Sequence, residues 1–243
     1  MTGTLYVGTS GFSYPAWAPA FYPPGCRPAD LLRLYAARLP ACELNNTFYR
    51  QPTPERVAAW VAETPAGFRF AVKAQRGGSL RALAADPGGT LPWLTGPLAG
   101  FGERLGSVLF RVPATTGRDD ARLAALLAAW PRTLPLTIEF EHLSWEVDEV
   151  LAPLRDAGVA FCATERENDP APPSLHVTAP FLYVRLRRLA YAPAELSAWA
   201  ARLAPFLADG RDVFAFLRHD ERGEAAARAS QLAAAVRAEL AAS

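Results

Sequence analysis

Short apolar runs alternate with longer segments of helical period from one end of the chain to the other. The runs fall at residues 5–10, 41–47, 69–74, 107–112, 136–140, 159–164, 181–187 and 212–219. Each has the length and composition of a buried strand. Between them, 30–39 repeats Leu and Tyr on one face, 54–63 follows Thr53 as an N-cap, and 118–130 runs Leu-x-x-Leu-Leu. Segment 145–157 lies between Ser144 and Gly158, a cap and a stop; 194–207 opens after Pro193 and ends before Gly210; 223–240 is an Ala-rich amphipathic helix. Such alternation predicts parallel strands joined by crossover helices. Eight units within 243 residues predict an α/β fold, a single (β/α)8 barrel of TIM type, with one domain spanning 1–243. Two links break the pattern. The stretch 75–106 is long and holds Gly77-Gly78 and Gly88-Gly89, so a loop excursion is expected before its helix. The stretch 165–179 is proline-rich without helical period, so that crossover is expected to lack a proper helix.

Side chains alternate across a strand, so a barrel strand turns one set toward the helices and the other inward. With the apolar set outward, the second strand turns Glu43 and Asn45 in, the third Ala71 and Lys73, the fourth Leu109 and Arg111, and the fifth Glu139 and Glu141. The first turns in Tyr6, Gly8 and Ser10, and the seventh Tyr183, Arg185 and Arg187. In the eighth, Phe214 and Phe216 compete with Val213 and Leu217 for the outer face. The interior therefore sets Glu43, Glu139 and Glu141 against Lys73, Arg111, Arg185 and Arg187. They lie toward the C-terminal strand ends, where barrel enzymes build active sites. Buried charge is costly, so these groups must pair, bind a ligand or meet water. The competing arrangement is a salt-bridge network that plugs the barrel and binds nothing.

Composition sharpens this. Lys73 is the only lysine, and two of the three asparagines are adjacent, Asn45 and Asn46, at the end of a predicted strand. Arginine is a fixed charged fork, whereas lysine is a compact charge whose pKa can be lowered by burial, so the lone lysine marks a site that needs an ammonium rather than a guanidinium. Basic and acidic residues balance, 25 against 24, which gives no electrostatic footprint for nucleic acid or a membrane surface. No apolar run reaches the length of a membrane helix. Cys26, Cys42 and Cys162 are widely spaced and form no C-x-x-C pair, as expected of reduced thiols in a cytoplasmic protein without a signal peptide. No Gly-x-Gly-x-x-Gly or P-loop is present, so no nucleotide cofactor is called for. Three histidines are few for a polynuclear metal site, although His219 with Asp220 keeps one metal arrangement open.

Several segments carry a family resemblance. They are Gly8-Thr9-Ser10-Gly11-Phe12-Ser13-Tyr14 with Trp17 and Phe21-Tyr22-Pro23, then Glu43-Leu44-Asn45-Asn46-Thr47-Phe48-Tyr49 with Pro52 and Trp60. Thr64-Pro65-x-Gly67-Phe68-x-Phe70-x-Val72-Lys73 follows, and later Glu139-Phe140-x-His142-x-Ser144-Trp145 and Tyr183-Val184-Arg185-Leu186. In this order, over nearly the whole chain, the sequence resembles the YecE-like family, domain of unknown function 72. The resemblance implies a TIM barrel and brings no activity with it. The chain departs from the family pattern where Glu141 replaces an arginine, where Arg187-Arg188 replaces His-Gly, and where Leu217-Arg218-His219 replaces Phe-Asn-Asn. A histidine-bearing segment after the third strand is also missing near Gly77-Gly78-Ser79. The first half of the site is kept and the second half altered.

The expected catalytic residues are Glu43, Lys73 and Glu139. The expected substrate-binding residues are Ser10, Trp17, Asn45, Thr47, Tyr49, Arg111, His142, Trp145, Tyr183 and Arg185, with neither metal nor cofactor. The leading expectation is acid–base chemistry on a small anionic substrate, phosphorylated or carboxylated and sugar-like. Lys73 and the arginines would clamp the anion, Asn45 orient it, and a glutamate move the proton. A desolvated Lys73 could instead form a Schiff base, and neighbouring carboxylates would oppose that by holding it charged. A nucleic-acid-processing hydrolase and a non-catalytic ligand-binding or interaction module stand as alternatives. Oligomeric state is left open.

Overall fold

In the computed structural model, which describes residues 2–84 and 87–242, every predicted run forms a strand. They are β1 (Leu5–Ser10), β2 (Ala41–Leu44), β3 (Arg69–Lys73), β4 (Leu105–Val112), β5 (Leu136–Phe140), β6 (Ala160–Glu165), β7 (Phe181–Leu186) and β8 (Asp212–Leu217). All pair in parallel in chain order, and β1 closes on β8 with Gly8 opposite Phe216, so the sheet is a complete barrel. No helix among the described residues is long and apolar enough to cross a membrane.

The helices begin and end where local chemistry permits. Helix α1 (Leu31–Ala36) follows β1, and α2 (Pro54–Ala62) follows β2. Ahead of Pro54, Thr53 Oγ1 accepts the Arg56 N–H at 3.3 Å. The 75–106 link departs from its expected form. Its glycines lie in the first turns of two helices, α3 (Arg76–Ala84) and α4 (Pro87–Thr95), rather than in a loop; residues 85–86 lie outside the described residues. Two causes are visible. Gln75 Oε1 accepts the Gly78 N–H at 2.7 Å and caps α3, and a Cβ on Gly78 would sit 2.8 Å from Leu94 and Trp93 of α4. Asp119 caps α5 (Asp120–Ala129) through the Arg122 N–H at 3.0 Å.

Helix α6 (Asp148–Ala157) stops at Gly158, whose φ of 66° is the left-handed end that glycine favours. Ser144 does not cap it. Leu143–Trp145 forms a separate 3-10 turn, because the Ser144 N–H donates to His142 Nδ1 and the Arg118 N–H donates to Ser144 Oγ. The β6–β7 crossover contains no helix, as its prolines require. Helices α7 (Pro193–Ala208) and α8 (Glu224–Ala242) complete the ring and pack on each other and on β8.

The core has two layers. Val7, Phe70, Phe110 and Ile138 pack outward against helix residues such as Leu154 and Leu203. Inside the barrel, Ala41, Ala71 and Ala160 leave room that Tyr183, Phe214 and Phe216 fill. This settles the ambiguity in β8: small residues on three strands demand large rings from the opposite wall, while Val213, Ala215 and Leu217 join the outer layer. Gly106 belongs to the same arrangement, since a Cβ there would come within 2.5 Å of the Phe214 ring. Above these rings the barrel turns polar.

Candidate functional site

Arg185 is the centre of the polar layer. Its Nε and Nη2 donate to Glu43 Oε2 and Oε1 at 2.9 and 2.8 Å, and its Nη1 reaches both oxygens of Glu139 at 2.7 and 2.8 Å. Tyr183 donates to Glu43 at 2.9 Å and Thr164 to Glu139 at 2.8 Å. One guanidinium thus binds two carboxylates, each with an added hydroxyl donor, and the arginine and both acids are buried. Burial alone would raise both carboxyl pKa values. The Arg185 charge and hydrogen bonds, helped by Lys73, outweigh it, holding Glu43 below its usual range and Glu139 at about 2. Both are fixed anions at neutral pH. A second fork stands at the rim, where Arg111 Nε and Nη2 each donate to Glu141 at 2.6 Å.

Lys73 stands apart from this pairing. Its Nζ has no carboxylate within 4.0 Å among the described residues and lies 4.6 Å from the centroid of the Phe48 ring. The Arg111 guanidinium lies 5.9 Å from that ring as well. Lys73 is only 9% exposed. Burial is the first cause, and the Arg185 charge the second, that lowers its pKa from 10.5 to about 8, against the opposing pull of Glu43 and Glu139. Thr47 Oγ1 lies 2.7 Å from the carbonyl oxygens of both Leu44 and Lys73, where it ties the ends of β2 and β3 together.

A cavity of about 750 Å³ opens above these groups. Six cationic side chains line it against three carboxylates. Arg111 and Arg185 are paired; Lys73, Arg166, Arg187 and Arg218 have no side-chain hydrogen bond or ion pair among the described residues. Burial and the Arg185 charge lower the pKa of Arg187, as expected of a cation without its own counter-ion. His219 forms one wall, stacked on Tyr14 at 4.8 Å. Ser10 Oγ accepts the His219 backbone N–H at 3.0 Å and lies 3.2 Å from Nδ1. Burial, then Arg187 and Arg218, push the imidazole below its usual pKa.

Of the residues named from sequence, Asn45, Tyr49, Lys73, Arg111, Glu139 and Arg185 come together on the cavity wall. Glu43 and Tyr183 lie one layer beneath, where Glu43 accepts hydrogen bonds from both Arg185 and the Tyr183 hydroxyl. Ser10 and Thr47 are buried and act on their neighbours. Trp17 is buried under the loop after β1, its indole N–H donated to the Asp220 carbonyl at 2.8 Å. Trp145 is equally buried, stacked on Phe140 and bonded to the Thr116 carbonyl at 2.9 Å. His142 faces solvent outside the cavity lining. Arg166, Arg218 and Phe48 line the cavity without having been singled out as site residues; the first two lie just past the strand ends, where parity stops predicting direction. No group of three His, Cys, Asp or Glu is placed to hold a metal among the described residues, and the Asp220 carboxylate accepts the Arg222, Glu224 and Ala225 N–H groups at the start of α8.

Comparison with known proteins agrees with this architecture. The family described as "Protein of unknown function DUF72" matches residues 6–243, and the chain belongs to that family. The UPF0759 protein YunF of Bacillus subtilis is 27% identical over 160 residues, 58% of this chain and 52% of that protein, so the chain spans about half the length of the curated relative it matches. A crystal structure of a DUF72 family protein from Enterococcus faecalis V583 superposes with a TM-score of 0.78 at 22% identity, covering 97% of this chain and 98% of that one. One from Thermotoga maritima MSB8 gives 0.79 at 25% identity, covering 96% and 99%. At these identities the likeness is one of fold.

Proposed function

We propose that the protein is an enzyme that holds a small phosphorylated or carboxylated substrate in this cavity and uses Lys73 as its proton-transferring group. One observation carries the reading. Glu43, Glu139 and Glu141 are already committed to Arg185 and Arg111, and Glu167 accepts the Leu189 N–H, which leaves Lys73, Arg187, Arg218 and Arg166 as positive charge without a side-chain hydrogen bond or ion pair among the described residues. Such charge at a concave, half-enclosed site calls for an anionic ligand. The arginines supply forked donors for phosphate or carboxylate oxygens, and the Asn45 amide and the His219 ring supply polar contacts.

The division of labour differs from the sequence expectation in one respect. On this reading Glu43 and Glu139, both bonded to Arg185 and held as anions, supply fixed charge rather than the transferred proton. Lys73, with its pKa near 8, is the group poised to do so.

Calorimetric titration with inorganic phosphate, then with a panel of sugar phosphates and small carboxylates, tests the reading. Arg187→Ala should weaken phosphate binding by about tenfold or more, the value of a charge-assisted hydrogen bond. Binding that is absent in the parent protein, or unchanged in the variant, would refute the anion site. Turnover of any bound compound should rise with an apparent pKa near 8 that disappears in Lys73→Met. A ligand that binds and is returned unaltered across the panel would replace the enzyme with a binding module.

A further inference from the structure

We propose that Lys73 is a carbonyl-trapping amine, which forms an imine with an aldehyde or ketone bearing a phosphate or carboxylate group. This rests on the anion-binding reading and narrows its substrate class. Proton transfer alone requires any titratable group; the surroundings of Lys73 supply what an imine needs besides. Its amine carries no ion pair that must break before the nitrogen can attack, because Arg185 occupies both nearby carboxylates through four hydrogen bonds of 2.7–2.9 Å. It stands at the floor of a cavity of about 750 Å³, with room for a substrate above it. The Phe48 face, 4.6 Å away, and the fixed anions Glu43 and Glu139 beneath offset part of the cost that burial and Arg185 place on a cation at that nitrogen. An iminium is also a cation, so product and starting ammonium meet the same surroundings. The unpaired Arg187 and Arg218 share the cavity and would hold the charged end of the molecule while its carbonyl meets Nζ.

The step balances without a further reagent. The ammonium first gives up one proton, and the free amine adds through its lone pair to the carbonyl carbon, forming a C–N bond as the C=O π bond breaks. The carbinolamine then loses its oxygen as water and leaves a protonated C=N bond. Ammonium and carbonyl thus become iminium and water, and both hydrogens of that water come from the ammonium. With its pKa at about 8, about one Lys73 in ten is a free amine at pH 7, roughly 300 times the fraction in an ordinary lysine.

The chain suits a decisive test, since Lys73 is its only lysine. Whole protein is incubated with pyruvate or glyceraldehyde 3-phosphate, reduced with sodium borohydride, and read by intact mass and peptide mapping, which separates Lys73 from the terminal amine. The expected result is one saturable reduced adduct on the Lys73 peptide. It should form faster as pH rises through about 8 and be suppressed by inorganic phosphate. Arg187→Ala should slow adduct formation with these charged carbonyls by about tenfold and slow it less with neutral glycolaldehyde, which feels only the change in the Lys73 amine. Lys73→Arg, which keeps the charge, should give no adduct. If phosphate binds normally and no charged carbonyl labels Lys73, the imine is overturned and the anion site stands. If Lys73 labels but phosphate neither binds nor competes, the imine stands and the anion site falls. Labelling that never saturates and proceeds at the rate of Nα-acetyl-lysine also overturns the proposal.

Discussion

Arg185 shows how one side chain can organise a buried charged site. A planar guanidinium offers donors on two edges, and here each edge meets a carboxylate, Glu43 on one side and Glu139 on the other. The network carries net negative charge, so its stability depends on the arginine more than on either acid. Arg185→Met should therefore destabilise the fold by about 3–5 kcal/mol, because it strands two carboxylates away from water. Chemical denaturation checks this, and adding Glu43→Gln and Glu139→Gln to that variant should recover much of the loss. If the triple variant is no more stable than the single one, the cost lies in packing rather than charge. Strand parity alone places all three groups inside the barrel. It does not reveal which anion meets which cation, since that depends on side-chain reach. Trp17 and Trp145 show the same boundary. Their place on loops at the C-terminal ends of the strands is legible, but the carbonyls that bury their indole N–H groups come from residues 203 and 29 positions away.

At the level of elements, the strands and most helices are readable because alternation and capping act locally. The misread points are places where a distant partner decides. Strand β2 ends at Leu44 instead of reaching Thr47, because Thr47 turns back to bond the ends of β2 and β3. The Gly77-Gly78 pair reads as a loop on propensity, yet close packing against α4 makes glycine the residue that fits there. Asp220 suggests a metal ligand when seen beside His219, but its carboxylate spans the first N–H groups of α8. Burial would raise its pKa; those backbone donors lower it. Its stabilising effect should be complete above the ordinary carboxylate range and fade as pH falls below it. Asp220→Ala should cost about 0.5–2 kcal/mol at neutral pH, the usual value of a lost N-cap. Urea midpoints measured at pH 7 and pH 3 should show the difference shrinking in acid; a constant difference would mean that the carboxylate charge is not what caps the helix.

Over the whole molecule, the barrel is a set of apolar layers closed at one end by charge, and that charge sets opposite trends with pH. Glu139, held at about 2, contributes stability above its ordinary pKa of 4.5 that is lost as pH falls toward 2. Lys73 works the other way. It is a base whose pKa in the fold, about 8, lies below its ordinary 10.5. Below pH 8 both folded and unfolded chains carry the proton, and the fold bears the full cost of a desolvated ammonium. Between about 8 and 10.5 the unfolded chain keeps the proton while the folded one releases it, so this group makes stability rise with pH. A lysine drawn that far down costs about 3 kcal/mol in its charged form. Water in the open cavity reduces this, so Lys73→Met should stabilise the protein at pH 7 by about 1–2 kcal/mol. That advantage should shrink as pH is raised to 10, because the parent amine is then neutral too. Paired denaturation curves at the two pH values measure both effects, and any other change at high pH is common to the two proteins. A variant that is less stable than the parent at pH 7 would mean that Glu43 and Glu139 hold the ammonium favourably, and that the fold carries no cost for keeping an amine at the floor of its cavity.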